Sequence, residues 1–261
     1  MMASIRACVL TFCFVVITLV AFVWQGISVY FRCRRRKTFP PKFHRLWCRL
    51  FGIRVTRIGE PPKGKGVLLV ANHTSYLDVP ILGSTGQMSF ISRHDAAKWP
   101  FVGIMVQLQE SVLIDRKQRG RTGAQLAAIR ERLAGGDNIA IFAEGTTTDN
   151  NRILPFKSSL FGAVFDETGT QDFPIQPVSI SYVAMQGIPM SRSDRYFYAW
   201  TGSFFLVSHV WNMLKAGPLD VVVEFHPPIT NASDRKDAAG KAEAAVRRGW
   251  RDGAKHWYGA A

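Results

Sequence analysis

The chain has 261 residues, 47% of them hydrophobic, and a formal charge of +14 from 33 Lys and Arg against 19 Asp and Glu. That size suits one α/β domain with a sizeable core plus an appendage. The charge is uneven: residues 1–65 hold 13 basic residues and one acid, Glu60, whereas the remainder holds 20 basic and 18 acidic. A nearly neutral body argues against a nucleic-acid-binding surface there and leaves the N-terminal segment to seek an anionic partner.

From Ala7 to Phe31 no residue is charged, and the run is dominated by Val, Leu, Ile, Phe and Ala. At about 1.5 Å per residue such a helix exceeds a bilayer core of roughly 30 Å. Arg6 alone precedes the run, while Arg32, Arg34, Arg35, Arg36 and Lys37 follow it. The positive-inside rule then places the body on the cytoplasmic side of a single span, and the basic cluster suits anionic headgroups. A nucleic-acid tail would not need the apolar run, so the partner expected is a membrane and no nucleic acid. Cys8, Cys13, Cys33 and Cys48 all lie in or near this anchor without metal-ligand spacing and are expected as packing residues.

The expected organisation is an anchor over 1–37, an interfacial helix and linker over 38–65, and the body over 66–261. In the middle segment Pro40 and Pro41 sit among aromatic and basic residues. Short apolar strands follow at 67–71, 88–92, 111–115, 139–143 and 175–182. Helix 122–134 is the clearest, with Thr122 and Gln125 as a capping box and Gly135-Gly136 as its end. This alternation predicts an α/β fold with a central, mostly parallel sheet. The aromatic stretch 196–216 is expected as a core helix, and the Ala-rich segment from Asp234 as a solvated one.

The first strand runs into Asn72-His73-Thr74-Ser75-Tyr76-Leu77-Asp78. On one helix a spacing of five turns two side chains about 140° apart. His73 and Asp78 therefore meet only if His73 lies on a loop and Asp78 on the first turn of a helix starting near Thr74 or Ser75, whose hydroxyls would cap it. An imidazole oriented by a carboxylate at a strand's end is a general-base arrangement. The third strand ends in Ile114-Asp115-Arg116, where the guanidinium could clamp a phosphate. The fourth ends in Phe142-Ala143-Glu144-Gly145-Thr146-Thr147, where Gly145 permits close approach and the Thr146 hydroxyl can donate; Lys157 adds a cation.

In this order and spacing, these motifs resemble the 1-acyl-glycerol-3-phosphate acyltransferase family of glycerolipid acyltransferases. The family pattern is N-H-x4-D, a strand ending in I-D-R, then F-P-E-G-T-R and a proline-containing strand. Here Ala143 replaces the proline, and Thr147 replaces the final arginine, removing a candidate phosphate ligand. The resemblance implies a single acyltransferase domain that moves an acyl chain from a thioester, acyl-CoA or acyl carrier protein, to the sn-2 hydroxyl of 1-acyl-glycerol-3-phosphate. His73 would be the base and Asp78 its orienting partner. Asn72, Arg116, Glu144, Gly145, Thr146 and Lys157 would hold the acceptor, with no metal or cofactor. The missing arginine motivates an alternative acceptor such as a lyso-ornithine lipid. A non-catalytic lipid-binding protein would not need both His73 and Asp78, and no glycine-rich nucleotide loop follows a strand.

Overall fold

The computed structural model describes residues 1–62, 66–99, 101–114, 122–202 and 205–260. An eight-stranded sheet runs in the order β1-β8-β6-β2-β5-β3-β4, with β7 (Ile188–Pro189) paired to β6. The five expected strands are present as β2 (Leu68–Ala71), β3 (Ser89–Arg93), β4 (Val112–Ile114), β5 (Ile139–Phe142) and β6 (Ile175–Met185). All neighbouring pairs among them are parallel, and β2, fully buried on both faces, lies between β5 and β6. Three further strands, β1, the short β7 and β8, were not anticipated. β1 (Ile53–Ile58) falls in the expected linker and pairs in parallel with β8 (Leu219–Phe225), which is antiparallel to β6. The sheet thus begins before residue 66.

One core lies between the sheet and α1 (Met2–Tyr30), α2 (Arg35–Leu50), α3 (Asp78–Gly83) and α7 (Leu206–Ala216), and includes Trp47, Leu82, Tyr182 and Leu214. The other lies beneath α5 (Thr122–Ala134) and α8 (Arg235–Ala260), and includes Ile129, Ile141 and Val246. The α5 bounds are those expected; the Thr122 side chain of the proposed capping box lies outside the described residues. The solvated reading of α8 is corrected. Ala238, Ala242 and Val246 are fully buried against the sheet, because a face of small residues lets the helix approach closely without looking apolar in sequence.

Helix α1 is long and apolar enough to cross a membrane. One face packs on α2, α4 (Val102–Leu108) and α7. Phe14 meets Trp47, Phe51 and Phe101 edge-on, and Ala7 is fully buried. The opposite face leaves Phe12, Leu19, Val20 and Val23 exposed. Pro40 lies inside α2 and has no N–H for the Arg36 carbonyl; the Gln25 amide of α1 donates there instead, at 2.8 Å, and to the Leu108 carbonyl of α4 at 2.9 Å.

His44 of α2 is buried against Gly83 of α3. A Cβ on Gly83 would lie 2.0 Å from His44 Nδ1, so the contact requires glycine. Burial lowers the imidazole pKa to about 4. The unfolded chain then binds a proton near pH 6.5 that the native state refuses, so this residue's stabilisation is present above that pH and lost as pH falls toward 4. Denaturation of the wild type and His44→Gln from pH 7 to 4 should differ in slope, the wild type losing about 3 kcal/mol more. Parallel curves would rule this out.

Candidate active site

The sequence after β2 leaves the sheet at Asn72, whose side chain is buried and bridges to the next strand. Its amide donates to the Ile180 carbonyl at 2.9 Å and its oxygen accepts from the Ile180 N–H at 2.8 Å. Both polar ends are occupied by backbone. The structure therefore places Asn72 in the scaffold that sets the loop's departure.

His73 follows on the loop, and Asp78 opens α3. The helix does not start at Thr74 or Ser75, and their hydroxyls do not cap it; Leu77 occupies the cap position. The order of capping is reversed. Asp78 Oδ2 accepts from the backbone N–H of Thr74 at 2.6 Å and of Ser75 at 2.9 Å, so the acid folds the loop back over itself. The same oxygen lies 2.8 Å from His73 Nδ1, and Oδ1 accepts the Tyr182 hydroxyl at 2.7 Å. With Asp78 accepting throughout, Nδ1 carries the proton and the Nε2 lone pair is the basic site. The His73 side chain is 20% exposed and that of Asp78 is 0%. Phe142, at the end of β5, stacks on the imidazole with ring centroids 4.0 Å apart and an interplanar angle of 10°. Together these contacts fix tautomer and ring plane while one edge stays open.

Glu144 is also buried, and its two oxygens are taken by backbone: Oε1 accepts the His73 N–H at 2.7 Å and Oε2 the Leu154 N–H at 2.6 Å. It ties the His73 loop to the 145–154 segment, a role in addition to the acceptor contact expected of it. Burial raises its pKa to about 7, offset by the two N–H bonds and reinforced by the charge of Asp78. The segment it holds is stitched to the same loop elsewhere. The Thr148 N–H donates to the His73 carbonyl at 3.0 Å, and the Asn150 side chain meets the Thr74 hydroxyl at 3.4 Å.

Gly145 takes a positive φ of 73°, and a Cβ there would lie 2.9 Å from Lys157 Nζ, so the exposed lysine chain crosses directly over it. Thr146 is exposed beside them and Thr147 is half-buried. These residues form a polar rim to which Lys157 brings a cation. Arg116, expected as a phosphate clamp, lies outside the described residues, as does Asp115.

The stretch expected as a core helix over 196–216 divides into α6 (Arg192–Tyr198) and α7 and reaches the site. The Trp200 N–H donates to the Thr74 carbonyl at 3.0 Å, and Tyr76 bonds His209 Nδ1 through its hydroxyl at 2.9 Å. Met213 and Leu214 of α7 are core residues, while Phe205 and Val207 at its start are exposed. Phe142, Thr148, Asn150 and Tyr182 were not singled out from sequence. Phe142 sat within a recognised motif, whereas Tyr182 has no local signal because its partner is 104 residues away.

Another Ser–His–acid cluster has no access to substrate. Ser179 Oγ lies 2.6 Å from His226 Nε2, with Glu224 3.5 Å from Nδ1, but Ser179 is 0% exposed and donates to the Val246 carbonyl beneath α8. It seats the C-terminal helix.

In Glu144→Gln one oxygen becomes an NH₂ group facing a backbone N–H. The substitution should cost about 1–3 kcal/mol and lower the thermal midpoint. An unchanged midpoint would rule out the tie.

A family model described as Acyltransferase matches residues 52–181. The lyso-ornithine lipid O-acyltransferase of Brucella abortus is 37% identical over 252 residues, covering 95% of this chain and 94% of that protein. The enzyme of the same name from Rhizobium meliloti is 38% identical over 214 residues, 81% of this chain and 73% of the other. The 1-acyl-sn-glycerol-3-phosphate acyltransferase of Neisseria gonorrhoeae is 30% identical over 189 residues, 72% and 70% of the two chains. The crystal structure of PlsC, the 1-acyl-sn-glycerophosphate acyltransferase of Thermotoga maritima, superposes with a TM-score of 0.68 at 26% identity, covering 96% of this chain and 97% of that one. With relatives similar over nearly its whole length, and a half-buried His73 held by a buried Asp78 on this sheet, the chain belongs to the acyltransferase family.

Proposed function

We propose that this protein transfers a fatty acyl group from a thioester to the hydroxyl of a lyso-ornithine lipid. The observation that carries the acceptor is Thr147, which stands uncharged where the family's phosphate-contacting pattern has arginine. Two relatives named for lyso-ornithine lipid, similar over most of their length, support it. An ornithine headgroup carries one carboxylate and one ammonium. The loop beside the catalytic residues offers one charge of each sign, Asp149 and Arg152, 3.8 Å apart. Acylation of 1-acyl-glycerol-3-phosphate is the second reading. It is favoured by the Neisseria relative and the Thermotoga structure, with Lys157 and Arg116 as its phosphate ligands.

In either case the chemistry is the same. The acceptor oxygen attacks the thioester carbonyl carbon while His73 Nε2 takes its proton. The tetrahedral intermediate then expels the thiolate, which recovers that proton from the imidazolium. Asp78 stabilises the cation between the two steps. The donor, acyl-CoA or acyl carrier protein, supplies the thioester. Gly145, Thr146 and Lys157 border the acceptor.

The membrane attachment is part of the proposal. Because one face of α1 is seated on α2, α4 and α7, its exposed Phe12, Leu19, Val20 and Val23 are the surface available to lipid. The basic residues from Arg32 to Lys37 follow at its end, toward the cytoplasmic leaflet. A lipid acceptor and its product can then reach the site without leaving the bilayer.

Acyl transfer should be measured with the full chain in vesicles, offering lyso-ornithine lipid and lysophosphatidate in parallel with both donors. The proposal expects a preference for the ornithine lipid of about tenfold or more in kcat/KM, equivalent to about 1.4 kcal/mol. In His73→Ala the rate should fall by about 10²–10⁴. Preference for lysophosphatidate would select the second reading, and a fully active His73→Ala would remove the base.

A further inference from the structure

We propose that Tyr182 is a positioning residue for acyl transfer, its buried hydroxyl setting how strongly Asp78 holds the proton-bearing His73. The inference rests on the reading of His73 as the base and adds a residue that the recognised motifs do not contain.

Tyr182 lies on β6, two residues beyond the Ile180 backbone that Asn72 grips, so the strand carrying it is registered on the catalytic loop by two hydrogen bonds. A β-bulge follows at once. Tyr182 pairs with Val221 but Ala184 with Asp220, which leaves Val183 as the extra residue. Bulges beside active sites re-aim side chains, and here the neighbouring ring points to Asp78 Oδ1 at 2.7 Å. The phenol is 2% exposed and the carboxylate 0%. Burial and the charge of Asp78 push the Tyr182 pKa well above the ordinary phenol value, so the hydroxyl remains a donor throughout the working range.

Among the described residues, every other donor to Asp78 is on the opposite oxygen: His73 Nδ1, Thr74 N and Ser75 N share Oδ2. Tyr182 is the partner of Oδ1. Among the described residues, the other titratable groups near the pair are Glu144, acting on Asp78 from the segment after β5, and Tyr76, Cys48 and Tyr198, which face Tyr182 from the His73 loop, α2 and α6. None of these is a cation. Without the phenol, Oδ1 is buried with no donor, the negative charge is less dispersed, and Asp78 attracts the imidazolium more strongly. The pair then keeps its inhibitory proton to higher pH.

Tyr182→Phe preserves shape and removes the donor. The pH dependence of kcat/KM should be measured for the wild type, Tyr182→Phe, Asp78→Asn and the double variant, with thermal midpoints alongside. The expected result is an acid limb moved upward by about one unit in Tyr182→Phe, with KM for both substrates within about twofold of wild type. The Phe substitution should produce no further displacement in the Asp78→Asn background. A lower midpoint or rate with an unmoved acid limb would make the hydroxyl merely structural and overturn the inference. The reading of His73 fails separately, if His73→Ala retains activity while the wild type transfers acyl groups.

Discussion

A carboxylate removed from water must find its donors inside the protein, and Asp78 finds four. Two come from the backbone of its own loop, one from the imidazole, and one from a strand far along the chain. An isolated buried charge would cost several kcal/mol or take up a proton. The loop conformation, the start of α3, the tautomer of His73 and the aim of Tyr182 therefore belong to one solution. The charge that makes His73 useful also folds the segment that presents it.

Glu144 meets the same constraint differently. Burial raises its pKa to about 7, with the charge of Asp78 adding to the rise and its two backbone donors opposing it. The two acids thus hold His73 from two sides: Asp78 through the imidazole, and Glu144 from behind through the backbone N–H. Fixing the residues on both sides leaves the open edge of His73 and the rim of Gly145, Thr146 and Lys157 for substrate. On the same core, α1 and α2 close over the sheet with Gln25 satisfying a carbonyl that Pro40 leaves without a donor. The apolar helix α1 is thus packed into the body that bears the site.

The parallel strands were legible because each is a short apolar run ending in a polar turn. His73 and Asp78 were legible because a spacing of five forces a loop-to-helix transition. The pairing of β1 with β8 joins segments more than 160 residues apart, and no local pattern announces it. The C-terminal helix was misread because its buried face is alanine, whose small side chain gives little contrast with a solvated helix. Asn72 and Glu144 stood in the right motifs, but residue type alone does not show that their polar groups bind backbone. Tyr182 was invisible for the same reason that makes it informative: the partner of its hydroxyl is distant in sequence.

The central claim is that the charge of Asp78, rather than its bulk, makes His73 a base. Asp78→Asn keeps the shape and tests this directly through the single-turnover rate of acyl transfer at neutral pH, with folding monitored in parallel. The account predicts a folded protein whose rate falls by about 10² or more, because the carboxamide neither orients the required tautomer nor offsets the imidazolium. A folded Asp78→Asn variant that transfers acyl groups at the wild-type rate would contradict it.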